Sequence, residues 1–286
     1  MGSEGSLITV ITQAETPADA LARIPRVDVL GVKISAINMA EAVRLADLAV
    51  ASGRPRYICV TGVHGVMEAQ SDPQIRQILN EAVLNTPDGM PMSWVGWMNG
   101  FRGMDRVYGP DFMLEVCQLS VKRGYTQFLL GGKSGVADAL KNRLESQFPG
   151  LRFTGTFTPP FRPLAEDEEE MLVSMIGRAK PDIIWVGLST PKQERFMARY
   201  CTRLGVPLMI GVGAAFDIHT GLVRDAPNWV KRSGLQWLHR MTQEPRRLAP
   251  RYLQNNPRFL LLITRELVRR GFERFTGNRS STISPS

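Results

Sequence analysis

The chain has 286 residues, 43% of them apolar and 22% charged, an ordinary globular balance with enough length for one large α/β core or two smaller ones. Its three cysteines (Cys59, Cys117, Cys201) have no metal-type spacing and leave one odd, which excludes a disulfide framework and points to buried thiols in a reducing compartment. The longest apolar run near the C-terminus, Phe259 to Ile263, is too short to span a bilayer, and Met1 to Ala14 lacks the basic start and apolar centre of a secretory signal.

In chain order, residues 1–25 read as a polar, mobile lead-in. The β-branched, alternating segment Val27 to Ile34 predicts a strand or hairpin. Asn38 with Glu41 three residues on is an N-terminal capping signature for a helix. Tyr57 to Val60 is a short buried-type strand, running into the glycine-flanked turn Thr61 to Gly65. Asp72-Pro73 caps a helix to about Val83. Pro87-Asp88-Gly89 is a turn in which Pro presets φ and Gly accepts positive φ. A helix is expected over Pro91 to Gly100 and another from Pro110 to Arg123. Strand signals at Thr126–Leu130, Arg152–Thr156, Asp182–Val186 and Pro207–Gly213 alternate with helical signals at Val136–Gln147, after the acidic run Glu166 to Glu170, and up to Leu204. This alternation predicts an α/β fold: a Rossmann-like, mostly parallel sheet with helices on both faces.

Beyond Pro227 the strand signals stop and helices are expected over Trp229–Met241, after Pro245, and over Pro257–Phe275, with a frayed end. From Arg224 to Ser286 there are 13 basic and 4 acidic residues, a balance of +9, against a net charge of +8 for the whole chain. The body is therefore near neutral and the tail carries the excess, which implies an anionic partner: a membrane surface, a phosphorylated ligand or nucleic acid. In the last helix Leu261, Val268, Phe272 and Phe275 share one narrow face, with Arg270 and Arg274 opposite, as in a helix lying on a membrane surface. The same apolar face could dock on a second subunit.

Three strand ends carry glycine turns: Gly131 and Gly132, Gly187, and Gly211 with Gly213. Glycine at a strand-to-helix turn lets backbone N–H groups approach a phosphate, although such turns also need glycine for steric reasons alone. Neither a G-x-G-x-x-G nor a P-loop spacing is present, which argues against NAD and ATP. Asp88, a carboxylate on a rigid turn beside apolar side chains, is well placed as a general base, or is a plain turn residue. Gln193 and Asp217 could touch a ligand or only serve a helix start and a backbone cap. With three scattered His and no Asp-x-Asp, no metal site is expected.

Several marks, taken together, carry a resemblance. They are the turn from Thr61, Asp88-Gly89, and Arg106 with Gly109-Pro110-Asp111. Further on come Gly187 through Pro191-Lys192-Gln193-Glu194, Gly211 to Asp217 with Gly221, Ala226-Pro227, and Trp237 to Arg247. Over about residues 27–255 the chain resembles the WecG/TagA/CpsF family of bacterial glycosyltransferases. The resemblance implies inverting, metal-independent transfer from a UDP-sugar to a polyprenyl-diphosphate-linked sugar in surface or exopolysaccharide synthesis, without a cofactor or nucleic acid. The enzyme would be cytoplasmic and peripheral on the inner membrane face. It further implies Asp88 as base, Arg106 at the donor diphosphate or sugar, and Thr61 at the acceptor. Gly131, Gly132, Gly187, Gln193, Gly213 and Asp217 would lie on the donor side, with Arg240 and Arg247 in a C-terminal appendage that seats the enzyme at the membrane. The division expected is a lead-in (1–26), a core (27–227, acceptor half to about 123), and the appendage (228–286). The chain departs from the family pattern at Val63, where Asn is usual, and at Asp225 and Gln236; His64 beside Val63 is either the substitute acceptor contact or a hydrogen-bonded structural histidine. Two other classes fit the residues alone: a Rossmann-type oxidoreductase, and a non-catalytic membrane-surface binding module.

Overall fold

The computed structural model describes residues 16–277, with 271–277 by their backbone only. The expectations for 1–15, for 278–286, and for the side chains of Phe272, Arg274 and Phe275 lie outside the described residues. Within the stretch expected to be a mobile lead-in, α1 (Pro17–Ala22) is held by a reciprocal capping box between Thr16 and Asp19 and buries Leu21. A hairpin follows, β1 (Arg26–Val29) and β2 (Val32–Ser35), then α2 (Met39–Ala51) with the expected Asn38–Glu41 box.

The body of the protein alternates β3 (Arg56–Thr61), α3 (Val63–Ser71), α4 (Pro73–Glu81), β4 (Leu84–Pro87), α5 (Met90–Met98), α6 (Gly109–Arg123), β5 (Thr126–Gly131) and α7 (Val136–Gln147). It continues with β6 (Arg152–Phe157), α8 (Glu166–Ala179), β7 (Ile183–Gly187), α9 (Lys192–Leu204), β8 (Leu208–Gly211) and α10 (Ala215–His219). The six strands β3 to β8 form one sheet in the order β4-β3-β8-β7-β5-β6, every pair parallel. Apolar side chains of α3, α4, α8 and α9 pack one face of it, and those of α2, α6, α7 and α10 the other. The strands are accordingly apolar on both faces, as a doubly covered parallel sheet requires.

Neither β4 nor α3 was expected from the sequence. β4 reads Leu-Asn-Thr-Pro, with no β-branched alternation, yet all four residues are buried. It is the edge strand, where a proline that cannot donate is tolerated, and the hairpin covers it: Asn85 N–H donates to Ser35 Oγ at 3.1 Å. α3 is obscured by Gly62 and Gly65 at its start; Gly65 is needed because a Cβ there would come within 3.0 Å of Thr61 Cγ2.

The C-terminal part is helical as expected, with different breaks. The first segment divides into α11 (Asn228–Arg232) and α12 (Gln236–Gln243) at Gly234, whose φ is +78° and against which the Trp94 ring packs. α13 (Pro245–Gly277) instead runs through both Pro250 and Pro257. The carbonyl that Pro257 leaves unpaired belongs to exposed Leu253, where water can take it, while buried Leu248, Phe259 and Ile263 hold the helix on either side. Phe259 and Ile263 enter the same core layer as α3, so α13 lies against the sheet domain along its inner face. No helix among the described residues is long and apolar enough to cross a membrane.

Candidate active site

The carboxyl ends of the parallel strands open into a cavity of about 1170 Å³. Asp88 stands at the end of β4, half-buried in its wall. Its N–H donates to the Thr61 carbonyl (3.0 Å), which carries the β3–β4 pairing one residue past the strands, and Gly89 at φ +82° then turns the chain into α5. Burial pushes the Asp88 carboxyl up to about 6, against the opposing fields of Arg106 and Arg240, and Asp111 adds to the rise. A carboxylate of that strength is ionised at neutral pH and basic enough to accept a proton from a developing alkoxide.

Arg106 does not line the cavity. Its guanidinium donates to Gln236 Oε1 (3.1 Å), pairs with Asp111 (3.4 Å) and lies 4.7 Å over the Tyr108 ring. Gln236 thus receives Arg106 as a neutral acceptor. Tyr108 donates to Asp225 (3.0 Å), and Asp225 pairs with buried Lys231, so this network joins the base's side of the cavity to α11 and α12. From here Arg106 acts on Asp88 through its field.

Thr61 is buried, its hydroxyl has no hydrogen-bond partner, and its neighbours Val60 and Gly62 line the cavity in its place. His64 does line it. Its Nδ1 lies 3.0 Å from the Asn255 amide nitrogen of α13 and 3.5 Å from Glu68 Oε1. Burial, followed by the charge of Arg251, lowers the His64 pKa to about 4 despite the Thr190 carbonyl, leaving the ring neutral at neutral pH.

On the donor side Gly132, Gly187, Gly213, Gln193 and Asp217 all border the cavity, whereas Gly131 does not. Sterics account for two of these glycines. A Cβ at Gly131 would lie 2.6 Å from the Gly187 carbonyl oxygen, and one at Gly187 would lie 2.9 Å from the Phe216 ring. Gln193 is fully engaged behind the wall: its Oε1 accepts the Gly213 N–H (3.0 Å) and its Nε2 donates to Glu194 (3.0 Å), which also accepts from Thr190 Oγ1 (2.9 Å). Glu194 is buried, which raises its pKa.

The appendage supplies the remaining wall. Arg240 and Arg247 both reach the cavity and both pair with Glu244. The Arg240 Nε is buried without a hydrogen-bond partner. Arg251 and Tyr252 also line it and were not picked out from the sequence; the signal was an Arg every fourth residue, at 247 and 251, on the face that α13 buries. Among the described residues no three His, Cys, Asp or Glu side chains gather as metal ligands would.

A glycine-lined crevice at the carboxyl edge of a parallel sheet, bordered by arginines, is an α/β arrangement that can accommodate an anionic ligand beside a carboxylate. The family model of the glycosyl transferase WecG/TagA/CpsF family matches residues 27–273, and the chain belongs to that family. It is similar to the N-acetylglucosaminyldiphosphoundecaprenol N-acetyl-beta-D-mannosaminyltransferase of Bacillus subtilis (strain 168), at 26% identity over 69% of this chain and 75% of that protein. The protein of the same name from Bacillus spizizenii is 26% identical over 63% of this chain and 68% of its own length. Family membership sets aside the oxidoreductase and the non-catalytic binding module.

Proposed function

We propose that the chain transfers a hexose-type sugar from a UDP-sugar to a saccharide linked to a polyprenyl diphosphate, with inversion and without an obligatory metal. Asp88 takes the proton of the acceptor hydroxyl as its oxygen attacks the anomeric carbon, and the bond from that carbon to the UDP oxygen breaks. The departing diphosphate places its charge on backbone N–H groups that follow the Gly132, Gly187 and Gly213 turns, not on the Gly132 and Gly213 N–H groups, which are already bonded, and on the appendage arginines. The observation that carries this reading is the Asp88 carboxyl, held at about 6 in the wall of a cavity bordered by Arg240 and Arg247. The acceptor is of the kind named for the Bacillus relatives, a sugar diphospholipid.

The tail's charge and the exposed Leu253, Leu261 and Val268 support a peripheral seat on the inner face of the membrane. The test is UDP release from a panel of UDP-sugars, with and without N-acetylglucosamine diphospholipid and with and without EDTA. Acceptor-dependent release that withstands EDTA and is lost in Asp88→Asn supports the reading. Release that ignores the acceptor, or persists in the variant, overturns it.

A further inference from the structure

Two helices face one another across one part of the cavity. α5 begins two residues after Asp88 and presents Pro91, Trp94 and Met98; α13 presents Phe259, Leu260 and Ile263. The spacing puts each set on a single helical face. Phe259 and Ile263 are buried, but Trp94, Met98 and Leu260 remain 40%, 54% and 62% exposed. Such large apolar side chains gain by being covered, in proportion to the area removed from water. α5 spans nine residues, so its strip runs roughly 12 Å away from the carboxylate at 1.5 Å per residue. At the far end the two helices are tied, with Arg270 of α13 donating to Asn99 Oδ1 at the end of α5 (3.3 Å).

Three chemistries thus share one cavity: a base at Asp88, the cations Arg240, Arg247 and Arg251, and an apolar strip leading outward. The Arg240 Nε, buried and unpartnered, marks the cationic part as built for an anion. A polyprenyl-diphospho-sugar carries a group for each of the three: a sugar hydroxyl, a diphosphate and a hydrocarbon chain. We infer that the cleft between α5 and α13 is the subsite for the first isoprene units of the acceptor lipid. This rests on the glycosyl-transfer reading above. It separates Leu260, which lines the cavity, from Leu253, Leu261 and Val268, which are exposed on the same helix but do not line it.

The test uses the full chain without vesicles and two soluble acceptors with the same head, farnesyl-diphospho-N-acetylglucosamine and methyl-diphospho-N-acetylglucosamine. With the UDP-sugar that supports transfer, the wild type is expected to show a KM for the farnesyl acceptor at least about tenfold below that for the methyl one, at similar kcat. Met98→Gln and Leu260→Gln should each raise the farnesyl KM several-fold and leave the methyl KM unchanged, whereas Leu253→Gln should alter neither. Equal KM values for the two acceptors in the wild type, or variants that shift both acceptors alike, would overturn the subsite. Transfer to neither acceptor, with any UDP-sugar, would instead remove the underlying reading. The wild-type comparison decides even if a variant fails to fold.

Discussion

Gly62 and Asp88 touch across the ends of β3 and β4: a Cβ on Gly62 would lie 2.9 Å from the Asp88 carbonyl oxygen, closer than any side chain tolerates. Both partners are backbone-defined, since Asp88 N–H already donates to the Thr61 carbonyl beside Gly62. Gly62→Ala must therefore move the Asp88 turn. It should cost about 1–3 kcal/mol of stability by overpacking and reduce transfer by at least about tenfold, because displacing a reacting group by an ångström is already expensive. Denaturant melts and UDP-release rates on the same preparation check both halves.

Asp88→Asn should lower the rate by about 10² to 10⁴, the usual range for a general base. In the wild type the rate should fall as pH drops through about 6, where the carboxylate takes up its proton, and stay level above it. A pH–rate profile of kcat/KM with a single acidic limb near 6 is the expected result.

The same group has a stability signature. Folding raises the Asp88 pKa from 3.8 to about 6, so the native state holds the extra proton between those values and its advantage fades as pH rises through that window. His64 does the opposite: its pKa falls from 6.5 to about 4, so the neutral ring favours the fold at higher pH and that contribution is lost as pH falls toward 4. The two slopes run against each other between pH 4 and 6. Removing one exposes the other, and Asp88→Asn should gain more stability than the wild type as pH rises from 4 to 6.5. With allowance for solvent screening of the half-buried carboxylate, the variant should be about 1–2 kcal/mol more stable at pH 7. Thermal melts across pH 4–7 read this directly.

Glu194 should tolerate one change and not another. Its buried carboxyl, with a raised pKa, accepts from both Gln193 and Thr190. Glu194→Gln keeps an acceptor oxygen of the same shape and should leave melting and turnover near wild type. Glu194→Ala strands both donors and should cost about 1–3 kcal/mol. If Gln193 holds the Gly213 turn for the donor, the donor KM should rise in the alanine variant alone. Isothermal titration with UDP and melting curves separate the two variants.

Much of this was legible before the structure. The alternation of strands and helices gave the parallel sheet, and the Asn38–Glu41 box and the Pro87-Asp88-Gly89 turn were each found where local chemistry put them. What stayed hidden depended on long-range contacts. β4 is a strand because β3 and the hairpin flank it, not because Leu-Asn-Thr-Pro favours one. α13 passes two prolines because its inner face is buried. At the site, Asp88 and Gly213 were visible as turn residues at strand ends. The engagement of Arg106 by Gln236, 130 positions away, and the burial of the Thr61 hydroxyl were not, since no local pattern encodes which helix closes over a strand end.

The position of α12 and α13 over the strand ends has a consequence for Asp88. Trp237, Leu248 and Tyr252 line the cavity with Asp88, and burial is the largest influence on the Asp88 carboxyl. A chain with these helices swung away would carry a wet aspartate, with a pKa near the ordinary ~3.9 and about a hundredfold less appetite for a proton. The raised Asp88 carboxyl is therefore a property of the strand ends and the C-terminal helices together, not of the β4 turn alone.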